Sequence, residues 1–342
     1  MLKVTTLKPS TFKDYFLMVF NPYLQHKLES SDEIFIAFDI YKKDSLKVGE
    51  RRRRGAGGRA YHVGLQTPIP NDWHDFLRAD KNKDGLFRFL ADCIAEFQYP
   101  DGKRVYVSKG EQTLHSAGVE DFNVSDGGGF LGSSNHEEAD TRLMLYAASA
   151  LTRGGALTRG AIISIELRSV DSDVVVVALS IFSKLIAINK DANVWVTLGT
   201  GTKITSYHIN AIFANLEAEM GPETAFALAF FTTFTGCDTV SSFFGKGKST
   251  CFAALRLQPE RITREIIGSL RGDFIPLTES SEAFKCIEML AISFYAKNSE
   301  DITVNEARVT MATQKTFDFE LMPPTQAALL EHANRAFYQA RV

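Results

Sequence analysis

Residues 162–198 read IISIELRSVDSDVVVVALSIFSKLIAINKDANVWVTL, and this stretch decides the fold class. An apolar, β-branched run at 162–168 leads into two aspartates. A long apolar stretch of helical length occupies 173–187, and a second β-branched run follows at 193–198. Strand, helix and strand in so short a span point to an α/β fold with a mostly parallel sheet. Downstream, the pattern predicts helices over 208–219 and 222–233 and an essentially helical chain from 249 onward. Upstream, Ile34–Phe38 reads as a buried parallel strand ending at Asp39. Trp73, Phe76, Leu77, Leu86, Phe87, Leu90 and Ile94 have the spacing of two helices within 71–98. A strand is expected at 104–108, a glycine-rich turn at 127–132, and a helix at 137–152 capped by Ser134 or Asn135.

The chain has 342 residues, 45% hydrophobic and 23% charged, which describes a globular protein of one large or two ordinary domains and excludes collagen, coiled coil and disorder. Its net charge of -3 argues against coating nucleic acid or membrane through bulk charge, so a polyanion partner must be met by a local patch. One such patch exists. The segment 42–59, KKDSLKVGERRRRGAGGR, sets eight Lys/Arg against Asp44 and Glu50. Its arginine run, Arg51–Arg54, also reads as a nuclear-localisation patch or a solvated helix face. Four widely spaced cysteines suit neither a disulfide framework nor a zinc site and fit a reducing, intracellular compartment. The most apolar stretch, Val174–Phe182, is less than half of the ~20 residues that span a bilayer, so no membrane partner is expected.

In open α/β sheets ligands bind beyond the carboxyl ends of the strands, and the residues there are acids. Asp39 ends the first strand, Asp171 and Asp173 follow the strand at 162–168, and Asp238 closes an apolar segment. Glu137, Glu138 and Asp140 stand where a helix begins. In extended backbone, a spacing of two turns Asp171 and Asp173 to one side. Two carboxylates about 4 Å apart repel by ~4 kcal/mol at an effective dielectric near 20, so a cluster of them needs raised pKa values or cations. Oxygen donors of this kind suit Mg²⁺ or Mn²⁺, and a two-ion site is the usual device for phosphodiester hydrolysis. Taken singly, each acid reads equally as a turn former or helix cap.

The ordered segments FDIYKKDSLKVGERRRRG, HEEADTR, SVDSDVVVV and FTGCDTVSSFFGKGKST resemble the flap-endonuclease branch of the PIN-like nuclease superfamily, and more closely a multi-copy, mobile-element-like animal family with that core. The likeness covers about residues 30–260. It implies a three-layer PIN-like fold, a central mostly parallel sheet flanked by helices, over residues 1–260. A helical C-terminal extension would occupy 261–342. It places Glu138, Asp140, Asp171, Asp173 and Asp238 at metal-binding positions, with Asp39 assisting catalysis. Lys42, Lys43, Lys47, Arg51, Arg52, Arg53 and Arg54 fall where the substrate-threading arch begins, and Lys246 and Lys248 in the nucleic-acid-binding hairpin. The implied activity is structure-specific, Mg²⁺- or Mn²⁺-dependent hydrolysis of DNA or RNA.

This sequence departs from the family at three points. Met1–Glu33 holds no V-I-D-G-like strand, so the domain is expected to lack its first strand and that strand's metal-binding Asp. Asp140 stands where Glu is usual, and Gly245-Lys246-Gly247-Lys248 lacks the G-[IV]-G spacing. The missing Asp motivates a rival reading, a catalytically inactive PIN-like module that binds nucleic acid or protein. Weaker motifs fail on single residues. Gly247-Lys248-Ser249 ends like a P-loop, but Ser242 occupies the first glycine's place. Asp80–Gly85 opens like an EF-hand, but Ala91 stands at its twelfth position, and a polar turn between helices is the simpler reading. Cys237 reads as structural, and His136 as a helix-entry residue.

Overall fold

The computed structural model describes residues 8–42, 59–117, 131–157, 163–221, 224–237, 239–297, 299–313 and 318–341. The chain divides into two compact units, one of Met1–Leu167 with Leu185–Ala192 and one of Arg168–Lys184 with Asn193–Val342.

The first unit opens with helix α1 (Phe12–Tyr15), a π-helical turn (Phe16–Phe20) and α2 (Asn21–Leu28). Thr11 and Asp14 form a reciprocal cap. The Asp14 N–H donates to Thr11 Oγ1 at 3.1 Å, and the Thr11 N–H to Asp14 Oδ2 at 3.0 Å. Pro22 has no N–H to give the preceding turn, and the widened π turn ends two residues before it, at Phe20. Strand β1 (Glu33–Ile36) is followed by α3 (Trp73–Arg78), α4 (Asp80–Glu96), β2 (Arg104–Lys109), β3 (Gln112–His115) and α5 (Ala139–Leu157). Phe12, Tyr15, Phe16 and Phe20 pack with Phe76, Leu86, Leu90, Ile94, Val105 and Val107 into one core. DKNKDG at 80–85 is the first part of α4 rather than a turn. Its buried Asn82 donates to the Arg59 and Phe76 carbonyls, both at 3.0 Å, and accepts from the Tyr61 N–H at 2.9 Å.

Next come β4 (Ser164–Ser169), α6 (Asp173–Ile188), β5 (Asn193–Thr200), β6 (Lys203–His208), α7 (Ile209–Met220) and α8 (Thr224–Phe234). Helices α9 (Lys248–Leu255), α10 (Glu260–Leu270), α11 (Glu282–Tyr295), α12 (Val304–Ala312) and α13 (Gln326–Gln339) complete the second unit. Their core is one cluster from Ala227 to Phe337, including Phe230, Leu255, Ile266, Phe284 and Ile287. It passes residue 260 without a break.

The protein is thus mixed α/β, with two small three-stranded mixed sheets in the orders β1-β2-β3 and β4-β5-β6. A strand pattern that suggested one continuous, mostly parallel sheet resolves into two because two hairpins reverse the chain. β1 pairs parallel with β2 (Ile34↔Val105), but β2 pairs antiparallel with β3 and β5 with β6. Each hairpin closes over a two-residue loop that starts at a glycine with positive φ, Gly110 at 58° and Gly201 at 64°. Gly199 is more constrained still, since at φ 96° a Cβ would stand 1.9 Å from the Lys203 carbonyl oxygen. Among the described residues no helix is long and apolar enough to cross a membrane.

In the second unit the buried His332 is hydrogen-bonded at both ring nitrogens. His332, on α13, donates from Nε2 to the Phe234 carbonyl at 2.7 Å, and its Nδ1 lies 3.0 Å from Ser241 Oγ. Burial holds this imidazole below its ordinary pKa of 6.5, with Arg335 adding to the shift. All four cysteines are free thiols. Burial raises Cys251 and Cys286 above the usual range and pushes Cys93 up to about 12.

Two outcomes are expected. Gly199→Ala will cost more than about 2 kcal/mol in urea unfolding, whereas Gly201→Ala, which meets no atom within 4 Å, will cost about 1 kcal/mol. Because the folded state disfavours protonated His332, stability is unaffected above pH 6.5 and falls as the pH drops below it. The loss of Tm between pH 7 and 5 will therefore be smaller in His332→Gln than in the wild type.

Candidate functional site

Asp39 lies three residues beyond β1, and the strap it belongs to is tied down on both sides. The Phe38 N–H donates to Ser108 Oγ at 2.7 Å, and the Ile40 N–H to the Glu137 carbonyl at 2.8 Å. Between them the Asp39 carboxylate accepts the Ala139 N–H through Oδ1 at 2.9 Å. Ala139 opens α5, so Asp39 caps the helix from 100 residues away, where the sequence suggested Ser134 or Asn135. The N-terminal end of a helix dipole favours a carboxylate at that point. Glu138 directly precedes α5 and Asp140 lies in its first turn, both half-buried. Three sequence-expected acids of the first unit, Asp39, Glu138 and Asp140, therefore gather at one helix start.

Cations surround this start. Lys42 Nζ donates to the Asn135 carbonyl at 2.7 Å. Arg142, on the same helix, is 1% exposed. It donates to the carbonyls of Gly110, Glu111 (2.9 Å) and Gln112 (2.7 Å), with Tyr146 Oη at 3.1 Å and Thr113 Oγ1 at 3.4 Å. The helix is thereby fixed to the β2–β3 turn. His136 lies beside this group, its Nδ1 3.0 Å from Thr141 Oγ1. Burial first, then Arg142 and Lys42, hold its imidazole below the ordinary range.

In the second unit Asp171 and Asp173 do not form an extended pair. Asp173 is the first residue of α6, and Asp171 folds back so that its Oδ1 accepts the Asp173 N–H at 2.9 Å. A helix start, not a strand end, sets their geometry. Asp173 Oδ1 lies 3.7 Å from Lys248 Nζ, with both side chains half exposed. Lys248 begins α9, and Lys246 Nζ sits 4.9 Å from the centre of the Tyr295 ring. Asp238, Lys43, Lys47, Arg51, Arg52, Arg53 and Arg54 lie outside the described residues.

The chain matches no protein-family model, no curated protein and no solved structure. Function must therefore be argued from the two acid groups themselves. Their donors are carboxylate oxygens, the set that Mg²⁺ and Mn²⁺ take. Among the described residues, no group of three or more His, Cys, Asp or Glu side chains is arranged to hold a metal ion. Donor chemistry fits a hard cation, and the described geometry supplies acids at two helix starts.

Sequence reasoning missed Arg142 and Ser108. An Arg four residues after Glu138 has the spacing of an exposed helix pair, and no local signal marks it as buried. Substitutions separate capping from other roles. Asp39→Ala will lower stability by about 1 kcal/mol in urea unfolding, while Asp39→Asn, which keeps an accepting oxygen, will stay within ~0.5 kcal/mol of wild type. Arg142→Met leaves several buried oxygens without donors and will cost about 3 kcal/mol or more.

Proposed function

We propose that this chain is a divalent-metal-dependent phosphodiester hydrolase acting on DNA or RNA, of the PIN-like, flap-endonuclease-like type. The observation that carries the reading is the Asp39–Ala139 contact, which brings together acids 100 residues apart in sequence. Residues picked out as functional from strand ends and a family likeness share one helix start, and coincidence of unrelated turn formers does not require that. The three-layer, mostly parallel PIN-like architecture belongs to the same proposal, supported by the parallel β1–β2 pair.

The residues proposed to hold Mg²⁺ or Mn²⁺ are Glu138, Asp140, Asp171, Asp173 and Asp238. When bound, such ions neutralise phosphate charge and lower the pKa of a coordinated water. Asp39 orients the start of α5 with one oxygen and has a second for a ligand. Lys246, on a glycine-containing loop, and Lys248, at the start of α9, meet the phosphate backbone, and the basic segment 42–59 steers it. Lys248 also keeps Asp173 company until an anion competes for it.

A second reading, a catalytically inactive nucleic-acid- or protein-binding module, draws on the same contacts. Asp39 and Asp171 each accept a backbone N–H at a helix start, a structural job that needs no metal. The two readings part in one assay. Labelled flap and single-stranded substrates, DNA and RNA, are incubated with the full chain in Mn²⁺ or in chelator. Metal-dependent cleavage is expected, falling at least ~100-fold in Asp173→Asn. Binding without cleavage in every condition would sink the hydrolase and leave the module.

A further inference from the structure

The second unit carries a nucleophile-and-base geometry that the acids do not use. His332 is 8% exposed, its ring set between those of Phe234 and Phe243 with both centroids at 5.0 Å. Its Nε2 is 2.7 Å from the Phe234 carbonyl oxygen, which can only accept, so Nε2 carries the proton. Nδ1 of the neutral ring is then an acceptor, and the Ser241 hydroxyl, 3.0 Å away, donates to it. Ser241 itself is exposed. A hydroxyl open to solvent, a base behind it and a third group fixing the base's tautomer are the parts of an activated serine.

The loop that presents Ser241 is held tightly. Gly236 has φ 116°, and a Cβ there would stand 2.7 Å from Ser242 Cβ, so only glycine admits this approach. The Cys237 N–H donates to the Val240 carbonyl at 3.0 Å, closing the turn just before the serine. Thr239 Oγ1 donates to Gln339 Oε1 at 3.0 Å, tying the same loop to α13, which bears His332. The serine and its base thus sit on elements joined by a further hydrogen bond, Thr239 to Gln339, besides their own.

We propose that Ser241 is a nucleophile activated by His332, taking acyl groups from short-chain carboxylic esters. Ser241 Oγ bonds to the ester carbonyl carbon as its proton passes to His332 Nδ1. The bond from that carbon to the leaving oxygen breaks, and the leaving oxygen takes the proton. Water then adds to the acyl-serine, its proton moving to Nδ1 and on to Ser241 Oγ, which releases the acid. The activity is independent of the phosphodiester reading and needs no metal.

The full chain is treated with a fluorophosphonate probe and, separately, with p-nitrophenyl acetate in chelator, and adducts are located by peptide mass spectrometry. Ser242 is an internal control, an exposed serine next in sequence without the imidazole. Modification is expected at Ser241 in clear excess over Ser242, absent in Ser241→Ala, and slowed about 100-fold in His332→Gln. Equal modification of the two serines, none at Ser241, or an unchanged rate in a folded His332→Gln overturns the proposal. Should that variant not fold, Ser241→Cys reads the same pairing with His332 intact. At pH 6.5 its alkylation by iodoacetamide should outpace that of Ser242→Cys by at least about tenfold, as a base-paired thiol requires. Equal rates there overturn it too.

Discussion

A guanidinium keeps its proton at any working pH, so one with almost no solvent contact must have its N–H groups met by protein oxygens. Arg142 satisfies this with carbonyls of the β2–β3 turn and the hydroxyls of Thr113 and Tyr146. Those acceptors are neutral, so the positive charge is dispersed over dipoles rather than cancelled by them. At His136 burial disfavours the proton first, and the Arg142 charge adds to it. Helix α5, the hairpin and the acids at the helix start are consequently one mechanical piece in the first unit, with a permanent cation inside it.

Helix starts recur as the place where acids are put to use. Asp39 reaches the first N–H of α5 across a gap of 100 residues, and Asp171 reaches the first N–H of α6 from two residues away. The first closes a tertiary contact and the second only a local turn. A helix end offers unpaired N–H groups and a favourable dipole to whichever anion arrives, side chain or ligand. Capping and ligand binding draw on the same electrostatics, which is why a sequence rich in acids at strand ends admits both interpretations.

Much of the local structure was legible because apolar spacing encodes burial. The strand and helix over 162–187 and the two helices within 71–98 fall where the pattern put them. QTLH at 112–115 and KITSYH at 203–208 gave no such signal. They are short, and β6 is exposed along almost its whole length, so no apolar alternation marks it. Pairing partners were equally hidden, since whether a strand continues a parallel sheet or turns back depends on the backbone of Gly110 and Gly201 rather than on the strand's own residues. At the acid groups, positions could be read and partners could not. Asp39 pairs with a backbone N–H far along the chain, and Asp171 bends where extended backbone was expected.

The thiols carry a practical consequence. A thiolate, not a thiol, is what oxidants and alkylating reagents attack, and burial keeps Cys93, Cys251 and Cys286 protonated at neutral pH. Three of the four native sulfurs are thereby shielded from air and from maleimide chemistry, Cys237 being the one to watch. A spin label or fluorophore attached through an added surface cysteine would report on its own position against a quiet background once Cys237 alone is replaced.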